Sequence, residues 1–350
     1  SVLRGYFQGK GIMVPTAASQ VGEQFIRVTL ILITAIFFVN AGESLYRVGQ
    51  GAIFSSVIGS VFTIIILTCF FISHNKDKLG SFFNSKVQES LPIIKTVIIQ
   101  GLAICISSLT LVLFQMSDAF QILSILTKLG TPFEEAQQIK GVYDRGQPLL
   151  QLGLVLATSL SLSVVPLIAS MKQKGQDIKS YISLSIRISI SVGAAATVGL
   201  LLIMSEVNTM LFQNADGSHL LRVLVIAILL ASISITISSI LQGFGHIYFP
   251  AVVVLISVIV KVILNQVFIR QWGVTGAAVA TVVALIFILL MLLWKLYKNI
   301  PVRLLQRQFL RILFVSLCAM SFVVIVVQFI GSFLAGYFIE YRIYATLLSL

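Results

Sequence analysis

Long apolar stretches recur along the chain and are separated by short polar segments. A helix of about 20 apolar residues crosses a bilayer core of about 30 Å, and nine stretches reach that length. We therefore predict membrane spans at residues 15–39, 47–73, 91–115, 148–171, 183–204, 219–242, 249–270, 274–294 and 309–332. The chain starts at the end of one more span and stops inside another that opens near Tyr344, so we expect an internal fragment of a longer membrane protein.

One pattern occurs twice, about 235 residues apart. The first copy has a Gly-rich turn at 8–11, then Pro15, then an apolar span with Arg27 at its middle. The second copy repeats these features with the turn 242–245, Pro250 and Lys261. Internal repeats are typical of transporters built from two related lobes. We predict an all-α integral membrane protein, truncated at both ends, in which a two-lobed helical bundle contains parallel repeats related by a pseudo-twofold axis.

The order of the spans predicts four regions. These are the end of an N-terminal lobe (1–73), a cytoplasmic linker (74–90), a C-terminal lobe (91–298) and an appended helix pair (299–350). Within the C-terminal lobe, we predict that the polar segment 116–147, which includes Asp118, is an outer loop with one or two short helices.

Composition narrows the class of protein. Charged residues make up 10% of the chain and hydrophobic residues 58%, whereas soluble domains carry about 25% charged residues. The net charge of +12 does not indicate nucleic acid, because basic residues concentrate in alternate loops, such as those with Lys10, Lys76 and Lys172. Loops rich in Lys and Arg face the cytoplasm, so we predict a multi-pass membrane protein whose two Gly-rich turns lie on the cytoplasmic side.

A polar stripe runs along the span 15–39. Its members have helical spacing and share one face: Gln20, Glu23, Gln24 and Arg27. A charge that faces lipid costs about 2.5–3.5 kcal/mol on insertion scales, so this face must point into protein or a water-filled cavity. We expect Glu23, the only acid that we place within a span, to pair with Arg27 at i+4.

A second stripe, in the span 249–270, contains Ser257, Lys261 and Asn265 at i, i+4 and i+8. Lys261 has no acidic residue in its own helix, and it lies too near the middle of the span to reach an interface. We therefore expect its ammonium to face a cavity.

A third polar group lies where the span 148–171 begins. Asp144 and Arg145 precede Pro148, and Gln151 follows one turn into the helix. Arg145 can present a planar guanidinium fork to a phosphate. The proline bends the helix and frees backbone carbonyls, which suits a moving gate.

Cations outnumber acids in these groups, which predicts a cavity between the lobes that suits an anionic, diphosphate-bearing substrate. The predicted substrate-binding residues are Arg27, Arg145, Lys261, Glu23, Gln24, Asp144, Gln151 and Asn265. The sequence contains no paired carboxylates at a membrane face, no metal-ligand spacing and no nucleophile beside a base. We therefore predict no enzymatic activity and no nucleic-acid partner.

Several short motifs resemble those of one known family. They are Leu3–Gly9, Pro15–Ala17, Glu23-Gln24 with Arg27, Tyr143–Leu149, Val165–Leu167 and Leu241–Pro250. Their order and spacing resemble the multidrug/oligosaccharidyl-lipid/polysaccharide (MOP) exporter superfamily, and within it the MurJ-like, stage V sporulation protein B-like branch. The resemblance covers essentially the whole chain and implies a MOP/MATE-type fold and a location in the bacterial plasma membrane.

The resemblance implies a flippase that moves an undecaprenyl-diphosphate-linked cell-wall precursor, lipid II, from the inner to the outer leaflet by alternating access. In that family an Asp-Arg pair at the start of the eighth span lines the cavity, and Asp144 and Arg145 match it. Some relatives bind sodium, for which Asn265 and Thr281 are the candidate ligands, but an ammonium at Lys261 could replace the ion. The implied driving force is a sodium or proton gradient, or the membrane potential.

The sequence leaves several other functions open. Another lipid-linked oligosaccharide exporter or a cation-coupled multidrug exporter would belong to the same superfamily, and the latter would need an acidic cavity. A membrane transferase would need acidic or His clusters at the cytoplasmic face. A scaffold in a cell-wall synthesis complex would tolerate neutralisation of Arg27, Arg145 and Lys261. The expected partners are a lipid-linked diphosphate oligosaccharide, membrane lipids and cell-wall synthesis proteins.

Overall fold

The computed structural model describes residues 2–10, 12, 14–74, 87–173, 178–299 and 306–348. All regular secondary structure in these residues is α-helical. The helices, in chain order, are α1 (Val2–Gly9), α2 (Val14–Asn40), α3 (Leu45–His74), α4 (Val87–Ser108), α5 (Thr110–Lys128), α6 (Phe133–Asp144), α7 (Gly146–Gln173), α8 (Ile178–Phe212), α9 (Ser218–Gly243), α10 (Tyr248–Trp272), α11 (Val274–Asn299) and α12 (Arg307–Leu348). Most of the linker predicted for 74–90 lies outside the described residues.

Nine helices in the described part of the chain are long and apolar enough to cross a membrane. Helices α2, α3, α8, α9, α10 and α11 fall on predicted spans, and the first part of α12 does so as well. A helix satisfies its own backbone hydrogen bonds, which the hydrocarbon core cannot do. The predicted all-α fold is confirmed, and the protein is a multi-pass membrane protein.

The outer loop predicted at 116–147 is wrong for its first part, which belongs to a long helix, whereas a short helix is present in its second part as α6. Helix α5 follows a near-helical residue, Leu109 (φ −86°, ψ 13°), and continues through residue 118 to Lys128. Helix α6 leads into α7 through Arg145 alone, whose backbone is also helical (φ −57°, ψ −27°). Polar residues such as Asp118 suggested a loop, but they lie on the buried face of a helix of membrane-spanning length.

Close contacts divide the chain into an N-terminal unit, Ser1–Thr96, and a C-terminal unit, Val97–Leu350. In the N-terminal unit, α2 and α3 form an antiparallel hairpin that also contacts α1. Gly59 permits the close approach of α3, since a Cβ there would lie 3.3 Å from the Glu23 carbonyl oxygen. The order of a helix, a turn and a hairpin recurs in the C-terminal unit as α9, α10 and α11, in agreement with the predicted repeat.

Helix α9 lies at the centre of the C-terminal unit. It packs against α7, α8 and α11, and 61% of its span is buried. Apolar burial drives little association inside a bilayer, so small residues and hydrogen bonds hold membrane helices together. Between α8 and α9, Ser189 Oγ donates to the Ser232 carbonyl oxygen at 2.8 Å, and Gly193 allows close approach to Ser232.

The hairpin between α10 and α11 turns at Gly273 alone, with φ +59° and ψ −146°, a conformation that is essentially restricted to glycine. Directly after this turn, Gly276 lies so close to α10 that an added Cβ would overlap the Phe268 carbonyl group. The backbones of the two helices are therefore in direct contact next to the Gly273 turn.

Replacing Gly276 by alanine is expected to destabilise the protein by about 1–3 kcal/mol or more, because only a backbone shift can relieve the overlap. Thermal unfolding of the purified protein in detergent measures the change. Gly199→Ala in α8 is the matched control, since a Cβ there meets no atom within 4 Å. An equal loss of stability in both variants would contradict the packing argument.

Candidate functional site

Asp118 of α5 and Lys261 of α10 form a buried ion pair in the C-terminal unit. Lys261 Nζ lies 2.7 Å from Asp118 Oδ2, and the two side chains are 0% and 3% exposed. Two expectations are therefore wrong: Lys261 has an acidic partner on another helix rather than facing an open cavity, and Glu23 is not the only acid within a span. The pair could not be predicted from the sequence, because the two residues are 143 positions apart.

Three further side chains complete what we term the Asp118 network. Thr281 Oγ1 of α11 accepts a hydrogen bond from Lys261 Nζ at 2.7 Å. Asn265 Nδ2 of α10 donates to Asp118 Oδ1 at 2.9 Å, and the Tyr143 hydroxyl of α6 donates to Asp118 Oδ2 at 2.7 Å. The network ties α5, α6, α10 and α11 together, and hydrogen-bonded pairing of this kind is what a buried charge requires.

The two candidate sodium ligands, Asn265 and Thr281, both belong to this network. The carboxylate and hydroxyl oxygens that contact Lys261 are the donor type that hard cations prefer, and the Phe114 ring lies 4.9 Å from the ammonium, within cation–π range. The described residues contain no group of three His, Cys, Asp or Glu side chains that could hold a metal ion. The Lys261 side chain places a positive charge beside the Asp118 carboxylate at this position.

Arg145 is half-buried at the junction of α6 and α7. Its Nη1 donates to Asn214 Oδ1 at 2.5 Å and lies 3.5 Å from Asn208 Oδ1, while its guanidinium lies 4.8 Å from the centre of the Phe212 ring. These partners belong to the end of α8 and the turn after it. Sequence reasoning missed them, because a polar residue at a helix end is ordinary and carries no periodic signal.

Two other predicted site residues lie near Arg145 along the chain but have different surroundings. Asp144 is exposed and pairs with Lys140 of its own helix. Gln151 is exposed on α7 and borders a cavity within the C-terminal unit. Tyr143 is fully buried in the Asp118 network, so a single short segment of α6 carries both a network residue and Arg145.

Glu23 brings two arginines together in the N-terminal unit. Its Oε1 accepts from Arg27 at 2.6 Å, which confirms the pair that the spacing predicted. Its Oε2 accepts from Arg4 at 2.8 Å and from Thr63 at 3.0 Å, two partners on other helices that the sequence did not indicate. Gln24 is exposed beside this cluster. Two guanidinium groups share one carboxylate, so the cluster carries a net positive charge.

Sequence comparison relates the chain to known membrane proteins. Residues 1–172 match the Polysacc_synt family, described as polysaccharide biosynthesis protein. The chain is 40% identical over 284 residues to uncharacterized membrane protein YabM of Bacillus subtilis (strain 168), a match that covers 80% of this chain and 53% of that protein.

Two further relatives come from the same organism. Stage V sporulation protein B is 27% identical over 353 residues, covering 96% of this chain, and lipid II flippase MurJ is 24% identical over 358 residues, covering 98%. Each of these matches covers 64% of the relative. The chain thus spans between 53% and 64% of the length of the three relatives.

Two solved structures share the fold. Lipid II flippase MurJ in the inward closed conformation has a TM-score of 0.59 at 15% identity, with 86% of this chain and 60% of that chain covered. A MATE protein in the bent conformation has a TM-score of 0.64 at 17% identity, with 85% and 64% covered. The comparisons thus show a chain that is similar to a polysaccharide biosynthesis family over residues 1–172, to stage V sporulation protein B and MurJ over nearly its whole length, and in fold to MurJ and MATE structures.

Proposed function

We propose that this protein is a flippase that moves a lipid-linked polysaccharide precursor from the inner to the outer leaflet by alternating access. The observation that carries the proposal is the placement of Arg145 in a chain that is similar to a lipid II flippase over 98% of its residues. The Asn214 oxygen and the Phe212 ring fix the plane of the guanidinium. A planar guanidinium held in this way suits bidentate binding of a diphosphate.

The proposed substrate is lipid II, whose diphosphate is carried on an undecaprenyl chain. Two features support an anionic substrate: Arg145 at a helix junction, and the net positive cluster of Arg4, Arg27 and Glu23. A cation-coupled multidrug exporter fits less well, because Asp118 and Glu23 are both already paired with cations. We propose the membrane potential or a proton gradient as the driving force, since the Asp118 network already holds an ammonium.

Expression of the full-length protein in cells depleted of their own lipid II flippases is expected to restore lipid II in the outer leaflet, by at least several-fold over an empty vector. Accessibility of lipid II to an enzyme added outside the cells measures the effect. Cells that express an equal amount of the Arg145→Ala variant serve as the control.

Two results would contradict different parts of the proposal, the first its substrate and the second its flippase activity. Unchanged outer-leaflet lipid II, together with export of another lipid-linked oligosaccharide, would contradict lipid II as the substrate and leave the flippase in place. Export of neither class, by protein that is expressed and folded, would contradict the flippase itself.

A further inference from the structure

A cleft with two basic side chains opens near the ends of α5 and α10, two helices that pack against each other. Its volume is about 380 Å³, many times the roughly 30 Å³ that one water molecule occupies in the liquid. Most of the residues that line it are exposed, including Lys128 and Arg270. This cleft, which we name the basic cleft, therefore opens at the surface of the C-terminal unit and has room for a group as large as a lipid headgroup.

The two cations of the basic cleft have no acidic partner among the described residues. Lys128 is the last residue of α5, and Arg270 lies in the last turn of α10. No acidic residue lines the cleft, and neither cation belongs to any ion pair in the part of the chain that the structure describes. Arg47 and Lys140 differ in this respect, because each pairs with an acidic residue four positions away. The basic cleft therefore attracts an anion.

A tryptophan next to the basic cleft places it at a membrane surface. Trp272 follows Arg270 at the end of α10, is exposed, and has its ring centre 5.1 Å from that of Phe268. Tryptophan is enriched where a membrane meets water. In the predicted topology, α10 starts after the cytoplasmic turn 242–245, so its last turn lies on the outer side. The two cations are therefore at the depth of the lipid headgroups in the outer leaflet.

Neutral hydrogen-bonding groups line the basic cleft one helical turn deeper than the cations. Ser124 comes four residues before Lys128, and Gln266 comes four residues before Arg270. Four residues correspond to about 6 Å along a helix axis at 1.5 Å per residue. Within the described ranges, neither the Ser124 hydroxyl nor the Gln266 amide has a hydrogen-bond partner. The ester carbonyls of a glycerophospholipid lie deeper in the membrane than its phosphate, so they can accept hydrogen bonds from these groups.

Apolar side chains complete the lining and restrict the kind of anion. Phe120, Ile125 and Leu129 border the same cleft. A free anion would leave this apolar surface uncovered, whereas an acyl chain covers it. The ammonium of a phosphatidylethanolamine headgroup finds no acidic residue in the lining. The glycerol of phosphatidylglycerol is uncharged and leaves the phosphodiester charge for the two cations, so the lining favours an anionic phospholipid.

We propose that the basic cleft binds the headgroup of an anionic glycerophospholipid of the surrounding membrane, with its phosphodiester between Lys128 and Arg270. The guanidinium of Arg270 can offer two parallel N–H groups to a phosphate, and Lys128 adds a point charge. Basic pockets between membrane helices bind anionic headgroups in this way. The site does not depend on which molecule the protein transports.

Native mass spectrometry of the purified full-length protein in detergent tests the site with three probes: phosphatidylglycerol, phosphatidylethanolamine and inorganic phosphate. Phosphatidylglycerol is expected to bind about tenfold more tightly than phosphatidylethanolamine, a difference of about 1.4 kcal/mol. A large excess of inorganic phosphate is expected to leave phosphatidylglycerol bound. The double variant Lys128→Gln/Arg270→Gln is expected to remove the preference, because it removes both positive charges and keeps polar side chains.

Arg47→Gln/Lys140→Gln is the matched control, since it removes two positive charges on the same predicted side of the membrane, both of which already pair with acidic residues. It is expected to keep the preference for phosphatidylglycerol. Lys128→Arg/Arg270→Lys retains both charges in the cleft and is expected to keep the preference as well. If the double glutamine variant lowers thermal stability, Lys128→Gln and Arg270→Gln replace it singly, and each is expected to reduce the preference about threefold.

Four results would overturn the proposed lipid site. Equal binding of the two phospholipids by the unmodified protein shows that no anionic headgroup is preferred. A preference that persists in stable glutamine variants places the headgroup elsewhere. An equal loss of preference in the matched control shows that overall charge, rather than the basic cleft, attracts the lipid. Displacement of phosphatidylglycerol by inorganic phosphate identifies a site for a free anion. The flippase proposal is unaffected by each of these results, because its own test follows lipid II.

Discussion

Replacing Lys261 by methionine is expected to lower the free energy of unfolding by about 3–5 kcal/mol, because removal of one partner leaves the other charge buried without its counter-ion. Asp118, which is 3% exposed, would keep only neutral donors, Tyr143 and Asn265, from those that contact it now. Thermal unfolding of the purified full-length protein in detergent measures the loss.

The double variant Asp118→Asn/Lys261→Met distinguishes a broken pair from a general packing defect. It removes both charges and keeps an amide oxygen as acceptor for Tyr143 or Asn265, so it is expected to recover most of the lost stability. Lys128→Met is the control. Lys128 is exposed in the last turn of α5, the helix that contains Asp118, and its replacement should change stability by less than about 0.5 kcal/mol. A Lys261→Met protein as stable as this control would contradict a coupled pair.

Replacing Arg145 by alanine is expected to abolish growth of cells that depend on the full-length protein, while its expression stays normal. The variant loses the guanidinium that Asn214 and Phe212 hold in place, and with it the proposed diphosphate contact. Arg145→Lys should give partial growth, because an ammonium keeps the charge but not the planar fork. Growth rate and immunoblots together measure the effect.

Lys140→Ala is the matched control for Arg145, since it removes a basic charge from the neighbouring turn of α6 and breaks only the exposed pair with Asp144. It is expected to support normal growth. Normal growth of the Arg145→Ala strain would contradict the proposed role, and equal growth defects in both strains would show that overall charge, rather than the position of Arg145, is what matters.

Much of the fold could be predicted from hydrophobic length alone. Spans such as 249–270 coincide with helices because 20 or more apolar residues leave few alternatives to a membrane helix. The prediction failed for α5, where Asp118 and Gln121 interrupt the apolar pattern. Both lie on a face that packs against α10, where Gln121 Nε2 donates to the Val262 carbonyl oxygen at 3.0 Å. An interior polar face and a loop give the same local pattern of residues.

The candidate site was predictable only as far as contacts were local. Glu23 and Arg27 are one helical turn apart, so spacing alone identified their pair. Arg4 and Thr63 reach the same carboxylate from two other helices, and the partner of Lys261 lies far away in the sequence. Such contacts depend on how the helices pack against one another, and a single sequence contains no signal for that packing.

The Lys261 ammonium differs from a bound ion in one respect: it is covalently attached, so it has no dissociation rate and cannot exchange with the medium. The junction of α5, α6, α10 and α11 is therefore assembled with its cation at the moment of folding. We therefore expect the integrity of this junction to be independent of the sodium or potassium concentration on either side of the membrane.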